Sequence, residues 1–160
     1  MRPAEPNDFA AIAAIFNQGI EERVATFDTR VKGPEDIEAL VERGDLVLVA
    51  ERDGEVAGFA KIADYEVRSP FYSGVGEVTL YVERDSRGAG LGRVLLDAIT
   101  AAGARQGRHK LLAKVFATNE PSLALFGACG FRRVGVHERH ARLDGEWRDV
   151  VVVERLLPGG

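Results

Sequence analysis

Phe9, Ile12, Ala13, Phe16 and Ile20 fall on one face of a 3.6-residue repeat, and Asn7 or Asp8 stands where a side-chain oxygen would cap such a helix. A second helix is expected to open at Gly33-Pro34-Glu35-Asp36, where proline fits the first turn and carboxylates face the positive helix end, and to stop at Gly44. The period then changes. Leu46 to Glu51 and Val56 to Ala63 read as extended runs joined through Asp53-Gly54, a strong hairpin signal. A polar and aromatic connection, Asp64 to Gly76, leads into an apolar strand from Glu77 to Val82, after which Leu91, Val94, Leu95, Ala98 and Ile99 restore helical spacing. Lys110 to Phe116 is the next strand. Asn119-Glu120-Pro121 starts a further helix that Gly130 ends. The chain closes as a hairpin, Arg132 to Leu143 and Trp147 to Leu156, around Asp144-Gly145. With a short edge strand at residues 2 to 4, this order gives an α+β architecture. The strands on either side of the long helix should run parallel.

The turn between the Glu77 strand and that helix carries the most specific chemistry. Arg87, Gly88, Gly90 and Gly92 crowd into a helix start, so free backbone N–H groups converge with few side chains in the way. A partial charge of about +0.5 at the helix end suits a phosphate or pyrophosphate. A Walker loop is excluded because Gly92 is followed by Arg93-Val94 rather than Lys and Ser or Thr. A dinucleotide fingerprint is excluded because the strand Lys110 to Phe116 ends without the acidic residue it needs. Physics alone leaves the phosphate unspecified.

Composition narrows the setting. A chain of 160 residues, 46% hydrophobic and 29% charged, is expected to form one domain, 1–160, with a core of its own. A formal charge of -4 argues against a nucleic-acid surface, and no apolar run suggests a signal segment or a membrane partner. Cys129 is the only cysteine, which excludes an internal disulfide and a cysteine-based metal cluster and fits a cytoplasmic setting. It reads as a small buried hydrophobe. No metal site is expected.

The segment Arg-x-x-Gly-x-Gly, Arg87 to Gly92, placed after a strand, resembles the coenzyme A pyrophosphate loop of the GCN5-related N-acetyltransferase (GNAT) superfamily. The element order is similar to that fold throughout. The resemblance implies the GNAT acyl-CoA N-acyltransferase fold, a mixed central sheet with a splayed parallel strand pair flanked by helices. It implies acetyl-CoA as co-substrate, gripped by Arg87, Gly88, Ala89, Gly90, Leu91, Gly92 and Arg93, by strand backbone at Leu80, Tyr81 and Val82, and by Asn119, Ser122 and Phe126.

The motif Gly76-Glu-Val-Thr-Leu-Tyr-Val82 matches the place where the phosphinothricin N-acetyltransferase branch carries a catalytic glutamate, which points to Glu77 as general base. Asn17 to Glu21, Thr26 to Thr29 and the ending Arg142 to Val150 look like the same branch, the last most like its arsinothricin relatives. That branch acetylates the α-amine of amino-acid-like toxins such as phosphinothricin, arsinothricin and methionine sulfoximine and so confers resistance; it also implies a homodimer. A substrate with an α-carboxylate and a side-chain oxyanion calls for fixed positive charge, so Arg68, with Tyr72 in the connection just before Glu77, is expected to clamp an oxyanion, and Phe27 to wall the substrate pocket. One departure stands out. The superfamily places a Tyr or His four residues before the Gly of its Gly-Phe pair, and here Phe126 precedes Gly130-Phe131, so no side chain there can protonate the leaving thiolate. The alternatives are acetylation of a different small amine or a protein amino terminus, or a non-catalytic coenzyme A-binding module.

Overall fold

The computed structural model describes residues 1–158; the last two positions of the expected 1–160 domain lie outside the described residues. In chain order the elements are β1 (Arg2–Pro3), α1 (Phe9–Glu22), α2 (Pro34–Glu42), β2 (Leu46–Arg52), β3 (Glu55–Asp64), β4 (Val75–Val82), α3 (Leu91–Arg105), β5 (Lys110–Phe116), α4 (Glu120–Ala128), β6 (Arg132–Leu143) and β7 (Glu146–Leu156), with short 3-10 turns between some of them. The strands form one sheet in the order β1-β2-β3-β4-β5-β7-β6. Among the described residues only β4 and β5 run parallel, as the crossover through α3 requires. Both hairpin turns place Asp and Gly at positive φ, Asp53 with Gly54 and Asp144 with Gly145.

Helices cover both faces of the sheet, so the inner strands read as nearly continuous apolar runs whose alternate residues serve different cores. Ala60, Ile62, Val78, Leu111, Ala113 and Val115 pack under α3 and α4 with Leu95, Leu96, Ile99 and Phe126. Phe59, Val47, Val49 and Tyr81 point the other way and pack against Phe9, Ile12, Phe16, Ile20 and Ile37 of α1 and α2. The expected strand start at Glu77 is corrected. β4 begins at Val75, whose carbonyl accepts from Tyr65 N at 3.2 Å, so Glu77 sits inside the ladder opposite Ala63.

Asp8 holds the N-cap position of α1 without capping it. Its buried carboxylate instead accepts from both terminal nitrogens of Arg2, at 2.7 and 2.9 Å, and from Glu5 N at 2.8 Å, tying the first strand to the first helix. The Arg2 guanidinium holds the Asp8 carboxyl below its ordinary value. A depressed folded-state pKa stabilises fully above the unfolded value and is lost as pH falls through the folded one. Asp8→Asn should therefore lower the urea midpoint at neutral pH and flatten the loss of stability below about pH 4. An acid dependence identical to that of the parent protein would contradict this role.

Candidate active site

The parallel pairing of β4 with β5 runs only from Val75↔Lys110 to Glu77↔Leu112. Beyond that rung each strand follows its other neighbour, β4 along β3 as far as Gly58↔Val82 and β5 along β7 as far as Phe116↔Val150. The two strands therefore diverge. Hydrogen bonds fix which backbone groups face the gap. Glu83 N donates to Ala57 O at 2.8 Å, so the alternation of an antiparallel ladder commits Thr79 and Tyr81 to β3 and turns Leu80 and Val82 toward the gap. On the opposite wall, the bonds Ala117 N to Asp149 O and Leu157 N to His109 O commit the odd-numbered residues of β5 to β7 and turn Lys114 toward the gap. The expectation that Leu80, Tyr81 and Val82 all offer backbone there is corrected at Tyr81, because consecutive strand residues cannot face one neighbour.

A cavity of about 680 Å³ opens at this divergence and passes from one face of the sheet to the other. Val78, Leu80, Ala113, Val115, Asn119, Ser122 and Phe126 line it on the α4 side; Phe16, Phe27, Lys61, Glu77, Tyr81, Lys114 and Phe116 line it on the α1 side. Asn119 caps α4 by accepting from Ser122 N at 3.3 Å, which sets both residues at the cavity wall. Phe126 is buried edge-on against Phe131, with ring centroids 5.0 Å apart. Phe27 packs on Phe116 at 4.7 Å. Tyr81 stacks among Phe16 and Phe59, and burial pushes its hydroxyl up to about 12, so it stays a neutral phenol at physiological pH. The ring fits because α1 carries Gly19 at that level; a Cβ there would overlap it.

Glu77 is half-buried at the cavity wall with Lys114 Nζ 3.7 Å from its Oε2. Other charges come from the segment between α1 and α2. Asn17 pins that segment by accepting from Lys32 N at 2.7 Å and donating to Lys32 O at 2.9 Å. Arg30, Lys32, Arg43, Lys61 and Lys114 outnumber the lining carboxylates Asp28, Asp36 and Glu77. Of these cations the sequence reading named none, although Lys61 and Lys114 each interrupt an apolar strand, and that interruption is the signal that could have found them. His140 also reaches the cavity, stacked on His137 at 4.5 Å.

Arg68 and Tyr72 are corrected: neither lines the cavity. Their connection turns outward through Pro70–Tyr72, where Tyr72 meets Tyr65 edge-on at 5.7 Å and the Arg68 N–H donates to Glu66 Oε1 at 3.2 Å. Arg68 instead borders a shallow groove with Asp64 and Glu66. Cys129 is buried and its thiol is pushed up by burial, which suits a packing role.

The glycine turn lies outside the cavity proper, exposed at the end of β4. Gly88 and Gly90 have φ of 83° and 82°, with open space where a side chain would point. The first bond into α3 is Val94 N to Gly90 O at 3.2 Å, so the N–H groups from Arg87 through Arg93 have no protein acceptor among the described residues. Gly92 lets α3 approach α4, since a Cβ there would lie 3.1 Å from Leu125 Cδ2. The Arg87 side chain is committed elsewhere. Its guanidinium makes two bonds of 2.7 Å to Glu22 and one of 3.2 Å to Val82 O, and this pairing holds the Glu22 carboxyl below its ordinary value. Gln18 accepts from Arg84 N at 2.9 Å, so the end of α1 braces the whole turn. The side chain of Arg93 points to Asp97, leaving its backbone to the turn.

Residues 10–131 match the model of the acetyltransferase (GNAT) family. The chain is 33% identical over 167 residues to the phosphinothricin N-acetyltransferase of Alcaligenes faecalis, covering 100% of this chain and 83% of that one. It is 30% identical over 167 residues to the L-methionine sulfoximine/L-methionine sulfone acetyltransferase of Pseudomonas paraeruginosa, covering 98% and 94%. Among solved structures, yncA from Salmonella typhimurium, solved with its cofactor acetyl-CoA, superimposes with a TM-score of 0.93 at 28% identity, covering 99% of this chain and 94% of that one.

Gly90→Val forces a branched side chain into a left-handed conformation and should cost about 1–3 kcal/mol locally. Pyrophosphate binding, followed by phosphorus NMR titration, should be lost in this variant. Undiminished binding would show that these N–H groups do not hold the anion.

Proposed function

The chain belongs to the acetyltransferase (GNAT) family, and from that premise we propose that it transfers the acetyl group of acetyl-CoA to the α-amine of a small amino-acid-like toxin of the phosphinothricin, arsinothricin or methionine sulfoximine type. The observation that carries this reading is the cavity at the strand divergence, which joins the unpaired Leu80 backbone and Val82 N–H to a carboxylate at Glu77. Unpaired backbone groups inside a sheet are costly without a partner, and an extended amide-bearing chain suits them. Acetyl-CoA supplies an activated acyl group at that place.

Glu77 takes the proton from the acceptor ammonium, directly or through water, as the amine nitrogen bonds to the thioester carbon and the carbon–sulfur bond breaks. Backbone N–H groups turned into the gap stabilise the charge that develops on the thioester oxygen. Asn119, Ser122 and Phe126 wall the donor side, while Phe27 and Phe116 wall the acceptor side. Phe126 has no proton to give, so the thiolate takes its proton from water or from the one released by the ammonium. Both substrates are present together, and transfer is direct. The turn from Arg87 to Arg93 grips the pyrophosphate through backbone N–H groups. The excess of lining cations disfavours a polyamine acceptor. The chain acts as one domain, and a cytoplasmic homodimer completes the proposal by family resemblance; no helix among the described residues is long and apolar enough to cross a membrane.

Thiol release from acetyl-CoA with phosphinothricin, arsinothricin and methionine sulfoximine as acceptors tests the reading, which predicts turnover with at least one of them and none without an amine. Glu77→Gln should cut kcat by about a hundredfold or more with little change in the KM for acetyl-CoA. Full activity in that variant would remove Glu77 from the role of base.

A further inference from the structure

Lys61 is the one charged residue between Gly58 and Ala63, an otherwise apolar run of β3, and its side chain is 12% exposed at the cavity wall. An ammonium so placed has to find anions for three N–H donors. It has part of one. Asp45 Oδ2 lies 3.5 Å from Lys61 Nζ, but the Asp45 carboxylate, 4% exposed, already accepts from Arg43 Nε at 2.9 Å and from Arg43 Nη2 at 2.8 Å. Glu77 acts on Lys61 from further off but lies 3.7 Å from Lys114 Nζ, so three cations, Arg43, Lys61 and Lys114, share two carboxylates, Asp45 and Glu77, beside the cavity. Burial, the largest cause, and the nearby Arg43 push the Lys61 ammonium below its ordinary value, and Asp45 and Glu77 only partly oppose this. The position favours a second anion from outside.

The sheet fixes which part of an acceptor would meet it. Lys61 is opposite Thr79, so β4 lies between it and the gap shared with β5, a separation of about 4.8 Å per strand. Its Nζ then leads toward Asp45, away from the gap. An α-carboxylate is one carbon from the reacting amine and stays near Glu77. A group at the far end of the acceptor's side chain spans the remaining distance. We propose that Lys61 is a specificity residue that pairs with an oxyanion carried by the acceptor's side chain, making the site selective for amino acids whose side chain ends in a negative charge. This inference rests on the amino-acid acetylation reading above and narrows it from a set of toxins to the anionic ones.

Removing the charge leaves Asp45 still paired with Arg43, so Lys61→Met should fold and keep its KM for acetyl-CoA. The experiment compares phosphinothricin, whose side chain is anionic, with methionine sulfone, whose side chain is neutral, for the parent protein, Lys61→Met and Lys61→Arg. In Lys61→Met the KM for phosphinothricin should rise by about 30-fold or more while that for methionine sulfone changes by less than about threefold, and Lys61→Arg should recover much of the difference. An equal loss with both acceptors, or no loss with either, would overturn the assignment of Lys61 while leaving amino-acid acetylation in place. A parent protein that acetylates neither compound would overturn the reading beneath it, and the proposal with it.

Discussion

Two neighbouring strands that begin as a parallel pair and then part company set the terms for the rest of this molecule. After Glu77↔Leu112 there is no rung between β4 and β5, and a sheet that is otherwise paired carries unmatched donors and acceptors near its middle. Such groups are rarely buried without partners. The protein tolerates them because each strand is secured on its far side, β4 by β3 and β5 by β7, and because α1, α3 and α4 cover the faces on either side. The opening is thus built by strong pairing around it rather than by weak pairing within it.

The same divergence positions the chemistry. Period-two alternation sends Glu77 and Tyr81 to the α1 face and Val78 and Leu80 to the α4 face, so a passage through the sheet carries charged side chains at one end and uncharged ones at the other. The glycine turn follows directly at the end of β4, and the end of α1 braces it through Gln18, Glu21 and Glu22. Arg87 therefore serves the scaffold, and the groups this turn leaves free are backbone N–H groups that no substitution of Arg87 alone would remove.

Among the described residues, each α-helix and strand was legible from the sequence because the periods are clean and the punctuation is strong: Asp53-Gly54 and Asp144-Gly145 make hairpins, and Asn119 makes a cap, whereas the short 3-10 turns carry no period. The glycine turn from Arg87 to Gly92 was legible for the same reason, since it is a motif on consecutive residues between a strand and a helix. Two errors have different physical origins. Tyr81 differs from expectation because consecutive strand residues face opposite neighbours, so a three-residue motif cannot offer all its backbone to one side. Arg68 and Tyr72 were misassigned because a connection without periodicity gives no direction, and this one turns outward toward Tyr65 and Glu66. The cations on the α1 side of the cavity, Lys32, Lys61 and Lys114, come from three separate parts of the chain and meet only through the fold, which adjacency in sequence does not reveal.

Coenzyme A is proposed to complete the open stretch of β4. Amide hydrogen exchange, resolved to single residues, measures this directly. In the free protein the amides of Leu80 and Val82 should exchange as unpaired groups while those of Thr79 and Tyr81, bonded to β3, are protected; saturating coenzyme A should slow Leu80 or Val82 by about tenfold or more and leave the other two unchanged. Exchange at Leu80 and Val82 that is already slow without ligand, or that stays fast with it, would contradict the account.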